Sequence, residues 1–255
     1  MILRNIKLTI TYDGSAFHGW QTQANARTVQ ETMEAALEKM TGEDINLTAS
    51  GRTDAGVHAL GQVANFKTGR NIPLRGFERG LNSLLPPEIA VISAREVSPD
   101  FHSRTWAREK EYLYRIVLFN GKLPLLNQRA WIVRNRLRLG AMAGCAAFLK
   151  GKHDFTSFMA SGSSVKTTTR TITGLEIEKT RNREYEPMDL DEIRIRIRAD
   201  GFLRYMVRNI VGFMVEAGLG KREPSEVEEV LSSRDRSQAG PCAPARGLYL
   251  YRVFY

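Results

Sequence analysis

The hydrophobic positions of the first hundred residues follow two spacings in turn. Residues 4–12 alternate between apolar and polar and are rich in β-branched side chains, which predicts a half-buried strand. Thr28 and Glu31 form a capping box, and the apolar residues behind it recur at helical spacing. The predicted elements are strand 4–12, helix 28–40, strand 45–50, a loop at 51–58, strand 62–67, helix 74–85 and strand 89–97. The order β-α-β-β-α-β is that of a split-βαβ unit.

The rest of the chain predicts the same order of elements without repeating the sequence. They are strand 110–119, an added strand 128–133, helix 139–150, strands 170–179 and 190–199, helix 202–219, a short helix after Pro224 and strand 247–254. Isoleucine and arginine alternate from Ile193 to Arg198, which predicts buried isoleucines and solvent-facing arginines. We therefore expect an α+β fold of two ferredoxin-like halves, residues 1–103 and 104–255, whose mainly antiparallel sheets flank a basic central cleft.

The charge of the chain is concentrated in its second part. The 255 residues carry a formal net charge of +9, but residues 1–100 hold 10 Lys and Arg against 11 Asp and Glu, whereas residues 101–255 hold 27 against 17. Arginine outnumbers lysine by 27 to 10, and its planar fork suits bidentate contacts with phosphate. This balance favours a polyanionic partner, and the alternative explanation is a solvated basic surface.

Composition argues against several classes of protein. The two cysteines, Cys145 and Cys242, do not form a CxxC pair, which disfavours a disulfide framework or a cysteine-rich zinc site. The chain lacks a run of about 18 apolar residues and a signal-peptide pattern, so we expect a cytoplasmic protein without a membrane partner. The four histidines are scattered, and the usual glycine-rich nucleotide-binding motifs are missing.

The segment with the clearest chemical content is the loop that begins at Gly51. It reads Gly-Arg-Thr-Asp-Ala-Gly-Val-His-Ala, with Asp54 between two glycines and two residues after Arg52. Glycines let the backbone approach a ligand closely, and a neighbouring arginine favours an ionised carboxylate that can act as a nucleophile. The alternative is that Asp54 closes an Asx-turn in a glycine-rich hairpin. Asp54 has no acidic neighbour within nine residues, which disfavours a two-metal site.

Basic and aromatic residues are interleaved at the start of the second half. Their mixture suits a nucleic-acid strand whose bases are splayed out and stacked. The cations are Arg104, Arg108, Lys110, Arg115, Lys122, Arg129, Arg134, Arg136 and Arg138, and the aromatics are Trp106, Tyr112, Tyr114 and Trp131. A regular strand would place Tyr112 and Tyr114 on one face, as a stacking surface or as part of the core. Arg204 and Arg208, four apart on a predicted helix, would share a face and could hold a phosphate and the aspartate.

Together these motifs resemble the tRNA pseudouridine synthase A family over nearly the whole chain. The resemblance is carried, in the expected order, by Tyr12-Asp13-Gly14 with Phe17, Gly19, Trp20 and Gln21, by Gly51 to Ala59, by Glu111 to Tyr114, by Asp154 to Phe158, by Met206 to Gly212 and by Gly247 to Leu250. It implies the pseudouridine synthase fold and the conversion of uridine to pseudouridine at positions 38, 39 and 40 in the anticodon arm of tRNA. It also implies a homodimer and a reaction without a metal or organic cofactor.

The resemblance assigns roles to five residues of this sequence. Asp54 would be the nucleophile, and Arg52 would take the space that the flipped nucleotide vacates. Tyr112 would stack on the target uracil, Arg208 would pair with Asp54, and Leu248 would line the uracil pocket. The sequence leaves open whether the carboxylate adds to the sugar carbon, adds to C6 of the base or abstracts a sugar proton. Two other classes also stay open, a non-catalytic tRNA-binding or chaperone protein on the same scaffold and a metal-dependent RNA hydrolase.

Overall fold

The computed structural model describes residues 3–163 and 165–255, and its contacts divide the chain into two compact units. The first unit is the chain up to Arg108 together with Tyr249–Tyr255, and the second unit is Glu109–Leu248. The sequence predicts a boundary between the halves after residue 103 and a last strand that belongs to the second half. The structure differs in both respects.

The elements lie in the predicted order, although several begin three or four residues away from the predicted position and one short strand is additional. In the first unit they are β1 (Arg4–Tyr12), α1 (Val29–Thr41), β2 (Thr48–Ala49), β3 (His58–Thr68), α2 (Leu74–Leu84) and β4 (Ile89–Val97). In the second unit they are β5 (Glu109–Leu118), β6 (Trp131–Val133), α3 (Leu139–Leu149), β7 (Gly151–Asp154), β8 (Thr169–Arg181), β9 (Asp191–Ala199), α4 (Met206–Gly218) and α5 (Glu226–Ser233). The last strand is β10 (Leu248–Phe254). None of the helices in this described part of the chain is both long and apolar enough to cross a membrane.

The sheet of the first unit has the strand order of a ferredoxin-like unit. β1 lies between β4 and β3 and is antiparallel to both, while β2 pairs with β3. On the same edge of β3 as β2, but at its start, lies β10, which runs parallel to β3 and pairs Tyr249 with His58. This pairing is why the last strand belongs to the first unit. Phe66 on β3 meets Phe77 on α2 with ring centroids 5.5 Å apart, so the helices cover the face that carries Ile6, Leu8 and Ile10.

The sheet of the second unit orders its strands β5, β9, β8 and β7, all antiparallel, with β6 parallel to the other edge of β5. Ile193, Ile195 and Ile197 are at most 1% exposed, and the arginines between them are partly exposed. The alternation that predicted this strand is therefore confirmed. The predicted α+β class with mainly antiparallel strands is confirmed as well.

Local chemistry explains where several elements begin and end. Thr28 caps α1 by accepting a hydrogen bond from the Glu31 N–H, as the capping box predicted. Gly42 ends α1 with a φ of 67°, in the left-handed region that glycine adopts without strain. α4 begins at Met206 rather than at residue 202, because Tyr205 has a φ of 65° and cannot continue a right-handed helix.

Candidate active site

The loop around Asp54 connects β2 to β3, and its first residues are tied to β3. The Ser50 N–H donates to the Val63 carbonyl at 2.7 Å, and the Ser50 hydroxyl donates to the Gln62 side chain at 2.7 Å. The Gln62 amide in turn donates to the Gly51 carbonyl at 2.9 Å. Ser50 and Gln62 are fully buried, so the loop leaves the sheet from a fixed point.

The middle of the loop is held by the turn that follows β1. The Trp20 N–H donates to the Thr53 carbonyl at 3.0 Å, and the Tyr12 and Thr53 hydroxyls share a hydrogen bond of 2.7 Å. The Gly56 N–H donates to the Phe17 carbonyl at 3.3 Å. Thr53 is thus anchored through its backbone and its side chain, directly beside Asp54.

Two glycines allow this turn and the loop to lie so close together. Gly19 has a φ of +93°, and a Cβ atom there would lie 2.6 Å from the Thr53 carbonyl oxygen. A Cβ atom on Gly14 would overlap the Val57 carbonyl group. Any other residue at either position would push the loop away from the turn. The sequence shows both glycines but not the surface against which they pack.

The last part of the loop is buried. Val57 and His58 are 1% and 2% exposed, and the His58 Nδ1 atom accepts a hydrogen bond from the Gly14 N–H at 3.1 Å. The His58 ring stacks on Tyr249 of β10 with centroids 4.6 Å apart. Asp54 is partly exposed and Arg52 is exposed. The loop therefore presents these two side chains between anchored residues, with Thr53, Val57 and His58 buried.

In the second unit, Tyr112 and Tyr114 lie on one face of β5, as predicted. They stand opposite Ile197 and Ile195 of β9 and are 8% and 0% exposed. The Tyr112 ring packs edge-on against Phe202 with centroids 5.0 Å apart. Burial raises the pKa of Tyr114 far above its usual value, and the positive charges of nearby arginines offset part of that rise. Its hydroxyl donates to the Pro244 carbonyl at 2.7 Å.

Arg208 lies on the first turn of α4 and is bound to the segment before β10. Its Nε atom donates to the Ala243 carbonyl at 2.7 Å, and the Ala243 N–H donates to the Arg208 carbonyl at 3.1 Å. The Arg208 and Arg204 guanidinium groups lie 4.6 Å and 5.0 Å from the centroid of the Tyr205 ring. Arg204 precedes the helix, so the two arginines meet around an aromatic ring rather than on a helical face.

Leu248 begins β10 and is 5% exposed. A Cβ atom on the preceding Gly247 would lie 2.7 Å from the Tyr114 ring, so this segment packs directly on the tyrosine face of β5. The structure thus brings Tyr114, Arg208 and Leu248 together through residues 243–248, with Tyr112 next along the same face. Arg52 and Asp54 lie together on the loop of the first unit.

One cation that the sequence offers as an RNA contact, Arg115, instead forms an ion pair inside the second unit. The Arg115 guanidinium is 12% exposed and makes two hydrogen bonds, of 2.8 Å and 2.9 Å, with the buried Glu192 carboxylate. It therefore stabilises the second unit from within. Tyr205 is a candidate site residue that the sequence motifs do not indicate, since its ring contacts the guanidinium groups of both Arg204 and Arg208. Its one signal in the sequence is that it stands between these two arginines. Within residues 3–163 and 165–255, no three His, Cys, Asp or Glu side chains lie close enough to hold a metal ion.

Comparison with known proteins agrees with these motifs. The family described as tRNA pseudouridine synthase matches residues 8–104 and 145–255. The chain is 45% identical over 253 residues to tRNA pseudouridine synthase A of Thermoanaerobacter sp. strain X514, which covers 99% of this chain and 100% of the relative. It is also 45% identical over 255 residues to tRNA pseudouridine synthase A of Acetivibrio thermocellus, with the same coverage. Because both matches span the whole chain, the protein belongs to the tRNA pseudouridine synthase family.

Proposed function

We propose that this protein isomerises uridine to pseudouridine at positions 38, 39 and 40 in the anticodon arm of tRNA, with Asp54 as the nucleophile. The proposal is carried by full-length membership of a tRNA pseudouridine synthase family. It is supported by the Asp54 loop, which is anchored on both sides while Asp54 itself stays partly exposed. A residue that merely closed a surface turn would not need this frame.

The chemistry requires few groups. Isomerisation breaks the bond between uracil N1 and the sugar C1′, turns the free base and joins C5 to C1′. The proton on C5 leaves and N1 gains one, so substrate and product have the same atoms and no electrons pass to another molecule. An ionised carboxylate within bonding reach of a flipped nucleotide can start each of the three routes. The choice among addition to the sugar, addition to the base and proton abstraction stays open.

Each of the other four residues has a physical reason for its proposed role. Arg208 pairs with Asp54 and keeps it ionised in a desolvated site. Tyr112 offers an aromatic face on which the uracil stacks, and Leu248 forms an apolar wall of the uracil pocket. Arg52, exposed two residues before Asp54, takes the space that the flipped nucleotide leaves. Flipping costs a few kcal/mol, which phosphate contacts of the arginines offset.

The proposal extends to the working form of the enzyme. It acts as a homodimer on cytoplasmic tRNA, by similarity to the tRNA pseudouridine synthase A family. The alternative function is that of a non-catalytic tRNA-binding or chaperone protein on the same scaffold. That protein would bind tRNA without forming pseudouridine.

The first test is Asp54→Asn. We expect turnover to fall below detection in a tritium-release assay on tRNA that carries 5-tritiated uridine, because the amide cannot act as a nucleophile. The affinity for tRNA should stay within about twofold, since the arginine surface is unchanged. Asp44→Asn, which changes an exposed acid before β2, is the matched control and should keep wild-type turnover.

One assay separates the three classes of function. Unmodified tRNA is incubated with the protein, in one arm with Mg²⁺ and in the other with EDTA, and pseudouridine is then detected by carbodiimide labelling. Label at positions 38–40 supports the synthase. Binding without label would identify a tRNA-binding protein, and chain cleavage that EDTA suppresses would identify a metal-dependent hydrolase. Wild-type turnover in Asp54→Asn would contradict the role of Asp54.

A further inference from the structure

One face of the sheet in the first unit is polar. Lys7 on β1 stands opposite Asn65 on β3 and Arg95 on β4, so the three side chains share a face. Neighbouring residues alternate between faces along a strand, which puts these side chains on the side opposite to Ile6 and Phe66. This side is called the polar face below.

The segment 98–106 crosses the polar face and is fixed there by buried amides. The Asn5 side chain donates to the Phe101 carbonyl at 2.9 Å, and the Asn65 side chain accepts from the Ser103 N–H at 2.9 Å. Asn5 and Asn65 are 1% and 7% exposed and also bond to each other at 3.0 Å. Because buried polar groups must keep their partners, the segment is held in one position.

This anchored segment holds a tryptophan out toward solvent. Trp106 is 49% exposed although its ring packs edge-on against Phe101, with centroids 5.5 Å apart. Phe101 also contacts the Tyr255 ring at 5.0 Å. The Trp106 N–H donates to the His102 carbonyl at 3.0 Å, which fixes the turn that carries the indole. An exposed aromatic held this firmly has little freedom to lose when it binds a partner.

The surroundings of Trp106 are cationic. The Lys7 ammonium lies 5.4 Å from the centroids of both the Phe101 and the Tyr255 rings. Arg95 and Arg104 are exposed, and in the described part of the chain no carboxylate forms an ion pair with Lys7 or with either arginine. Burial lowers the pKa of Lys7, and the positive charge of the neighbouring Arg95 adds to that decrease.

We propose that this Trp106 surface, formed by Lys7, Arg95, Phe101, Arg104, Trp106 and Tyr255, binds tRNA by stacking an unpaired base on Trp106 while the cations contact adjacent phosphates. Aromatic side chains interleaved with cations are the common means of binding unpaired nucleotides. The unpaired cations favour a polyanion over an apolar protein partner. The inference rests on the proposed tRNA substrate and adds a binding surface to it.

The main test measures the Kd of the full chain for an unmodified tRNA transcript at about 100 mM salt. Trp106→Ala should raise Kd about tenfold, whereas Trp106→Phe, which keeps an aromatic face, should stay within about threefold. Ile92→Ala is the matched control, because Ile92 is a 60% exposed apolar residue of the same unit, and its Kd should equal that of the wild type. A Trp106→Ala Kd equal to the wild-type value would overturn the proposal.

A second readout does not depend on how well the alanine variant folds. Stacking quenches indole fluorescence, so tRNA should quench the wild type and should quench Trp106→Phe much less. Trp20 is only 2% exposed, and Trp131, which is partly exposed, is the same in both proteins, so the difference in quenching between them reports on Trp106. Equal quenching in both proteins would overturn the proposal. So would a sedimentation result in which Trp106→Ala separates a dimer into monomers at unchanged Kd, since the surface would then join two copies of the chain.

These outcomes are distinct from those of the proposed function. If the wild type forms pseudouridine while Trp106→Ala binds tRNA as tightly as it does, the Trp106 surface is refuted and the synthase stands. If the wild type binds tRNA through Trp106 but forms no pseudouridine, the synthase is refuted and the surface stands.

Discussion

Among single residues, Thr53 does most to position the loop around Asp54. Its carbonyl accepts from the Trp20 N–H, and its hydroxyl bonds to Tyr12, which is 4% exposed. Burial raises the pKa of Tyr12 well above its usual value, although the hydrogen bonds to Thr53 and Gln62 offset part of the rise. The Tyr12 phenol therefore keeps its proton at neutral pH and remains a neutral hydrogen-bonding partner.

Tyr12 is therefore a positioning residue. Tyr12→Phe leaves the buried Thr53 hydroxyl without its partner, which costs about 1 kcal/mol of stability. We expect kcat to fall about tenfold with KM nearly unchanged, because a small displacement of Asp54 affects the reacting geometry more than tRNA binding. Steady-state kinetics on unmodified tRNA measure the split.

The control for this prediction is Tyr185→Phe. Its hydroxyl accepts a hydrogen bond from the Leu125 N–H at 3.2 Å, in the second unit and outside the Asp54 loop. It should lose less stability, because this hydrogen bond is exposed to water, and it should keep wild-type kcat. If Tyr12→Phe behaves like this control, the Tyr12 hydroxyl supports folding alone.

The sequence predicts the acidic residue of this site but not the hydrogen bonds that hold its loop in place. Asp54 stands out because a glycine-rich loop and a neighbouring arginine are local features. The bond between Tyr12 and Thr53 joins residues 41 positions apart, and no local pattern reveals it. The position of Tyr205 is equally hidden, because a positive φ at a tyrosine depends on the packing around it.

At the scale of elements, two positive charges face each other across the strand pair β5 and β9, and a buried carboxylate compensates them. Arg115 and Arg194 stand directly opposite each other, which by itself is unfavourable. The buried Glu192 carboxylate accepts hydrogen bonds from both arginines and from the Asn182 amide. Burial alone would raise the pKa of Glu192, but these hydrogen bonds and the Arg115 charge outweigh it and lower the pKa to about 2.

Glu192 should therefore make stability depend on pH. A carboxyl whose pKa is lower in the folded state stabilises the fold above its unfolded pKa of about 4.3 and loses that contribution as the pH falls toward 2. The shift corresponds to about 3 kcal/mol. In Glu192→Gln, urea unfolding should show lower stability at pH 7 and a flatter decline between pH 5 and pH 2.

An exposed carboxylate supplies the comparison. Glu176→Gln on β8 changes a side chain that is open to solvent and should follow the wild-type pH profile. A Glu192→Gln profile as steep as that of the wild type would mean that other carboxyls govern the acid instability of this unit.

The elements themselves were largely predictable, with exceptions that have physical causes. β4 has the predicted bounds because its alternation is regular. The sequence does not predict β7, because its four residues, which begin with Gly151 at a φ of 104°, are too few to show an alternating pattern. Strand 45–50 shortens to Thr48–Ala49, because only these residues pair with β3.

At the scale of the whole molecule, the excess positive charge lies from residue 101 onward. Some of these arginines form ion pairs within the protein: Arg181 pairs with Asp191 and Arg234 with Asp154. Arg134 and Arg136 are exposed, and within the described residues no carboxylate forms an ion pair with them. Location, and not net charge alone, should then decide which arginines contact phosphate.

Salt dependence tests this distinction. Replacing Arg134 and Arg136 together by Gln should reduce the slope of log Kd against log salt by about 1.5, because each lost phosphate contact removes about 0.7 to 0.9. Replacing Arg181 and Arg234 by Gln changes the net charge equally and should leave the slope nearly unchanged. Equal slopes for the two double variants would show that tRNA responds to total charge.

β10 joins the sheet of the first unit late in protein synthesis. Residues 249–255 leave the ribosome after the entire second unit, yet they complete the sheet of the first unit along β3. Tyr249 also stacks on His58, at the end of the Asp54 loop. During synthesis, part of the β3 edge stays unpaired until residues 249–255 emerge, so a nascent chain cannot complete the sheet beside the Asp54 loop before the second unit has been made.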